Sequence, residues 1–144
     1  MLFGELQRMG MNFNDVCDIC AAVGSHDEET GKPVSDISAA LIIADKVDAY
    51  KKRVQHANMD DIHDRVNLAI YKTHVSVSLE DREIKYEIKM KDYATPMEFL
   101  EIYMTRMKMC EESAAFLGCS FKLVIDGLIM NMPGKIILEE EPDK

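Results

Sequence analysis

Two residues that could bind a metal ion or a phosphate group lie on either side of a polar loop. His26 follows a helical pattern that ends at Gly24, and Asp45 comes directly after the apolar run AALIIA, which leaves almost two helical turns without a polar face. A carboxylate buried beside such a run is costly unless it is compensated. We therefore expect Asp45 to pair with a lysine or arginine, to cap a neighbouring helix, or to bind a cation.

Basic residues follow Asp45 on the same predicted helix. Lys51 and Arg53 are candidates for contact with a substrate phosphate, and a solvent-exposed helix face is the structural alternative. His26 has a similar alternative, as an exposed histidine among the acidic residues of its loop. The sequence contains no glycine-rich phosphate loop, serine nucleophile elbow or H-E-x-x-H motif. The candidate chemistry is therefore that of His26 and Asp45.

Helices position these residues in the first half of the chain. Apolar residues recur at helical spacing over 2–9, 15–24, 36–56 and 60–71. Ser35 is the expected N-cap of the third helix, with Ser38 in the place of the capping-box glutamate. The apolar run of this helix predicts that it is surrounded by protein.

The apolar period changes from helical to alternating after this part. THVSVSL and EIKYEIKM predict a β-hairpin, a long helix opens at Thr95-Pro96 and closes at Gly118, and SFKLVI predicts a third strand, with a possible short strand near KIIL. The predicted fold class is α+β. It comprises a helical part (1–71), a small antiparallel β-β-α-β segment packed on it (72–138) and an acidic tail (139–144).

Composition narrows the range of partners. The chain has 144 residues and a formal net charge of −9, which argues against a nucleic-acid backbone or an anionic membrane as the main partner. It has neither a segment of transmembrane length nor a secretory signal pattern, so a cytoplasmic location is expected. The four cysteines are then expected to be reduced and mostly buried.

Several of these motifs together resemble one superfamily. The stretches GSHDEETG, VSDISAALIIADKVD, IHDRVNLAIY and EFLEIYMTRMKMCEESAAFLGCSFKLVIDG are similar to HD-domain metal-dependent phosphohydrolases, in a bacterial group with an appended α/β segment. The resemblance covers residues 1–131. It implies that Asp45 matches the final metal-binding aspartate of the family and that His26 matches an additional histidine that precedes it.

The resemblance implies a function as well as a fold. It indicates hydrolysis of a phosphate ester or nucleotide by a water bound to Mn, Mg or Fe, with Asp45 as a metal ligand and His26 at a second metal or at the phosphate. Lys51 or Arg53 would stabilise negative charge on the phosphorylated substrate.

The sequence departs from the family in one respect. The first histidine of the family and its His-Asp dyad should lie N-terminal to Gly4, where this chain has no such segment. We therefore expect a fragment, a shortened product or a non-catalytic descendant. The alternative function is a dimerising or ligand-binding module derived from an HD domain, because loss of the dyad helix exposes apolar surface that a homo-oligomer would bury.

Overall fold

The computed structural model describes residues 1–28, 31–50, 54 and 57–131 of the chain. These ranges contain five helices and a four-stranded sheet, which confirms the predicted α+β class. The helices are α1 (Leu2–Arg8), α2 (Phe13–Gly24), α3 (Asp36–Lys46), α4 (Ile62–Ala69) and α5 (Pro96–Phe116). The strands are β1 (Ile70–Ser78), β2 (Glu83–Met90), β3 (Ser120–Ile125) and β4 (Leu128–Ile129).

Polar side chains cap the N-termini of the helices that follow α1. Each of these side chains accepts a hydrogen bond from a backbone N–H of the first turn, and the capping residues are Asn12, Ser35, Asp61 and Thr95. Ser35 forms a capping box with Ser38, as the sequence predicts. The start of α3, which carries Asp45, is therefore fixed by its own sequence.

The third helix is shorter than the sequence predicts, because it ends at Lys46 instead of continuing to residue 56. The side chain of Ala49 lies in the hydrophobic core. The backbone N–H of Ala49 donates to the carbonyl oxygen of Val47 at 2.9 Å. The chain therefore turns away from the helix axis at this point. Lys51 and Arg53, two predicted site residues, lie outside the described residues.

The four strands form a mixed sheet in the order β1-β2-β3-β4. β1 and β2 are the predicted antiparallel hairpin, with Val75 opposite Tyr86. β2 and β3 are parallel, because the crossover through α5 returns the chain to the end at which β2 begins. The sequence predicts a wholly antiparallel sheet, and this part of the prediction is wrong. The predicted strand near KIIL lies outside the described residues.

The hairpin turn is joined to the end of the long helix by Arg82. Its Nε donates to the carbonyl oxygen of Gly118 at 2.7 Å, and its Nη2 donates to that of Leu117 at 3.3 Å. Gly118 has a φ of +66°, a conformation that favours glycine at a helix C-terminus. The two carbonyl groups that directly follow α5 therefore accept hydrogen bonds from a residue that precedes the helix by more than a dozen positions.

One hydrophobic cluster joins the helical part to the sheet. Helix α5 supplies the aromatic centre of this core, where the rings of Phe99 and Tyr103 stack with centroids 4.8 Å apart. Ile43 of α3 and Val66 of α4 pack into the same cluster as Tyr86 of β2. The predicted boundary near residue 71 coincides with the change from helix to strand, yet both sides of it share this core.

The first two helices are packed much less tightly than the rest. Helix α1 has no buried residue, and α2 buries only Val16 and Ala22. The rings of Phe3 and Phe13 meet edge to face at 5.9 Å between centroids, yet both side chains remain exposed. The large apolar side chains exposed on α1, α2 and α3 are Leu2, Phe3, Phe13, Val23 and Ile37. We refer to these five as the helical-end apolar residues.

Candidate functional site

Helix α3 buries one side and exposes the other. Ile42 and Lys46, one turn apart, lie on the buried side, whereas Ala40 and Ala44 are exposed. Asp45 lies between these sides, and 46% of its side chain is exposed. The predictions that protein surrounds the apolar run and that Asp45 is buried behind it are therefore wrong. Each residue turns the helix by about 100°, which moves Asp45 off the packed side.

The buried charge at this end of α3 belongs to Lys46, whose side chain is only 3% exposed. Its Nζ lies 2.5 Å from Asp45 Oδ2 and 3.9 Å from Glu28 Oε1. The hydrogen bond from Lys46 is the main reason that the pKa of Asp45 lies below its ordinary value, and the charges of His26 and Arg106 lower it further. Asp45 is therefore ionised at neutral pH and compensates an ammonium group that is costly to bury alone.

His26 lies within electrostatic reach of Asp45, although 19 positions separate them in the sequence. Its Nδ1 lies 2.5 Å from the carbonyl oxygen of Val23 in the last turn of α2. Because a carbonyl oxygen only accepts, Nδ1 carries the hydrogen, and in the neutral ring Nε2 then holds a free lone pair. The fold thus brings together the two residues that the sequence proposes as metal ligands.

Three further charged residues complete the surroundings of this pair. Arg106 of α5 places Nη2 at 2.5 Å from Glu28 Oε1, and its guanidinium lies 5.5 Å from the ring centroid of Tyr103. Glu28 therefore connects two cations, one from α3 and one from α5. We call this set the charged cluster: His26, Glu28, Asp45, Lys46 and Arg106.

Sequence reasoning does not single out Glu28, Lys46 or Arg106. A signal for Lys46 is present, because it lies four residues after Ile42 and so falls on the packed stripe of α3. Arg106 comes from a helix that begins sixty residues after the start of α3, so its arrival depends on tertiary packing. Cys110 lies near the cluster, and burial raises the pKa of its thiol to about 12, which makes it a poor nucleophile.

The described residues do not fit a complete metal centre. No group of three or more His, Cys, Asp or Glu side chains within them is arranged to hold a metal ion. His26 and Asp45 would supply only two ligands, and one oxygen of Asp45 is already paired with Lys46. Two protein ligands do not usually fix a divalent ion against water.

No protein-family model, curated protein or solved structure matches this chain. Within the described ranges, no helix is long and apolar enough to cross a membrane.

Proposed function

We propose that this chain contributes His26 and Asp45 to the metal centre of a phosphohydrolase of the HD superfamily. The observation that carries the proposal is the hydrogen bond from His26 Nδ1 to the Val23 carbonyl, beside a carboxylate that is ionised at neutral pH. Metal-binding histidines commonly donate their other ring N–H to such a carbonyl, which orients the ring and fixes the tautomer. A Mn, Mg or Fe ion, when bound, would activate a water and contact phosphate oxygens.

The proposal requires additional ligands from outside the described residues. They would come from another segment of the protein or from a partner chain. Such an element also needs an apolar surface on which to pack, and the helical-end apolar residues provide side chains of the required kind on α1, α2 and α3. The incomplete metal site and the exposed apolar side chains therefore have a common explanation.

The substrate that fits these charges is a phosphorylated small molecule or nucleotide in the cytoplasm. Lys46 and Arg106 are the cations beside the proposed ligands, and both are held by carboxylates. Lys51 and Arg53 remain the predicted phosphate contacts. The net charge of −9 disfavours a polymeric nucleic-acid substrate, which would be repelled over a longer range.

Metal binding by matched variants tests the proposal. Mn²⁺ binding is measured by electron paramagnetic resonance for the unaltered chain and for His26→Gln and Asp45→Asn. Each change should weaken binding by more than about tenfold, since loss of even an outer-shell partner of a metal site costs that much. Asp36→Asn, at the opposite end of α3, and His74→Gln, on β1, are the controls and should bind as the unaltered chain does.

Phosphate release completes the test. With Mn²⁺ present, hydrolysis of p-nitrophenyl phosphate or a nucleoside monophosphate should depend on Asp45. Mn²⁺ binding that persists unchanged in Asp45→Asn would contradict the proposal.

The exposed apolar side chains favour a second candidate, a non-catalytic dimerising module. In this case a second copy covers the helical-end apolar residues, and Lys46 permanently compensates Asp45. Ile37→Lys should then dissociate the dimer, with no dependence on metal. Asp45→Asn should have no effect on assembly.

A further inference from the structure

Among the described residues, strand β1 lies at one edge of the sheet, and the second half of its helix-side face is exposed. Val75 and Val77 pair with Tyr86 and Ile84, which are buried on that face, so the pleat directs the two valines to the same side. Yet Val75 is 39% exposed, Val77 is 60% exposed and Leu79, just after the strand, is 87% exposed. The described helices therefore cover β2, β3 and the start of β1, but not the part of the edge strand from Val75 onward.

The free edge of β1 has few of the features that normally block strand addition. Exposed edges are usually short, or interrupted by proline, charges or bulges. β1 has nine residues, no proline, and Lys72 as its only permanently charged side chain. Its one irregularity lies at its start, between Ile70 and Lys72. From Lys72 onward the strand pairs regularly with β2, and no other strand within the described residues pairs with its outer edge.

The apolar face of β1 is complementary to itself in the antiparallel register with a twofold axis at Val75. Along a strand, the backbone N–H and C=O groups of every second residue point toward the same edge. In edge-to-edge antiparallel pairing, odd-numbered residues must therefore face odd-numbered residues, so that both strands direct their outward N–H and C=O groups toward each other. A twofold axis at Val75 sets this residue against its own copy. The same axis places Val77 opposite Thr73 and Leu79 opposite Tyr71, so the exposed apolar side chains of both copies lie side by side.

The side chains on the polar face of β1 are also compatible with this register. His74 falls opposite Ser76 of the second copy, and Lys72 falls opposite Ser78, so no like charges face each other. A shift of the axis to His74 sets two histidines against each other and leaves Leu79 without a partner residue. An axis at Val77 pairs only residues 76–78 within the strand, whereas the axis at Val75 pairs residues 72–78. The axis at Val75 is therefore favoured.

We propose that β1 pairs antiparallel with β1 of a second copy of this chain, about a twofold axis at Val75. This pairing joins the two sheets of described strands into one continuous sheet and covers the β1 edge of each. The interface is separate from the charged cluster and from the helical-end apolar residues, so it goes beyond the proposed function. An edge-strand contact is a small interface, and exchange at roughly micromolar concentrations is expected.

Sedimentation of the full chain tests the proposal, with EDTA present so that metal-dependent association does not contribute. Between about 1 and about 200 µM the unaltered chain should change from monomer to dimer, in line with a small interface. Val75→Lys should remain monomeric, because its ammonium groups would meet at the twofold axis. Val34→Lys is the matched control: Val34 is also an exposed valine but lies in the loop before α3, and this variant should dimerise normally.

A cysteine placed at the axis tests the register and does not depend on the folding of the lysine variant. Only Val75 faces its own copy, so Val75→Cys should form disulfide-linked dimers in a glutathione buffer. Val34→Cys and Val77→Cys should form them no faster than the unaltered chain with its native cysteines.

Three results would overturn the proposal. The first is an unaltered chain that stays monomeric over the whole range, which would leave another kind of partner for this edge. The second is a dimer that dissociates with Ile37→Lys but not with Val75→Lys, which would assign the contact to the helical end. The third is preferential cross-linking at position 77.

Discussion

The two ends of this molecule differ in how deeply their large apolar side chains are buried. Around α5, large side chains such as Phe99 and Tyr86 are fully enclosed between helix and sheet. In α1 and α2, side chains of similar size such as Phe3 and Phe13 contact each other and remain exposed. The difference lies in whether a second layer of the described structure packs against these side chains. The α5 end encloses its large apolar side chains, whereas the described residues of the helical end leave them exposed.

Truncation of one phenylalanine in each region should give the largest difference in stability between the two ends. Phe99→Ala should lower the free energy of unfolding by about 3–5 kcal/mol, because it leaves a cavity in the core. Phe13→Ala should lower it by less than about 1 kcal/mol, because that ring is already exposed to water. Urea unfolding followed by circular dichroism measures both. Equal losses would show that the helical end contributes to the core as much as α5 does.

The N-caps of two helices provide a more moderate test. Thr95→Ala removes the cap of α5 and should cost about 1 kcal/mol in global unfolding. Asn12→Ala removes the equivalent cap of α2. If the helical end opens separately from the core, Asn12→Ala should accelerate amide hydrogen exchange within α2 and leave global stability almost unchanged. Slow exchange in α2 that persists until global unfolding would remove the distinction between the two ends.

The pH dependence of Asp45 gives the smallest expected effect. The pKa of this carboxyl is lowered in the folded protein, so its contribution to stability is present above the ordinary pKa of 3.8 and is lost as the pH falls through the folded value. The contribution should be less than about 1 kcal/mol, because the side chain is partly exposed.

The variant Lys46→Met tests the cause of this lowered pKa. It should raise the pKa of Asp45 toward its ordinary value, as measured by NMR titration of the carboxyl carbon, and Asp36 serves as the internal reference. A pKa of Asp45 that does not change in Lys46→Met would mean that the ammonium is not its main partner.

Local patterns in the sequence predict much of this fold. Strand β2 spans Glu83–Met90 as its alternation indicates, and the caps at Ser35 and Thr95 follow from their side chains alone. These features depend on residues only a few positions apart. The parallel pairing of β2 with β3 depends on the path of α5 across the sheet, which no short pattern records.

For the same reason, the candidate site can be predicted from the sequence only in part. His26 and Asp45 are identified from their motifs, and the fold places them within electrostatic reach of each other. The burial of Asp45 is predicted wrongly because the apolar run indicates how hydrophobic α3 is but not which of its sides is covered. Lys46 takes the buried position, and its partners Glu28 and Arg106 come from two other parts of the chain.

The contact between Arg82 and the end of α5 bears on how the chain can be altered. The turn that carries Arg82 is exposed and polar, the usual kind of place for an epitope tag or for new termini in a circular permutant. A break or insertion there would also withdraw the donors of the Gly118 and Leu117 carbonyls. Splicing of foreign sequence at this turn would therefore weaken a helix end located elsewhere in the chain, so protein engineers should choose a different loop.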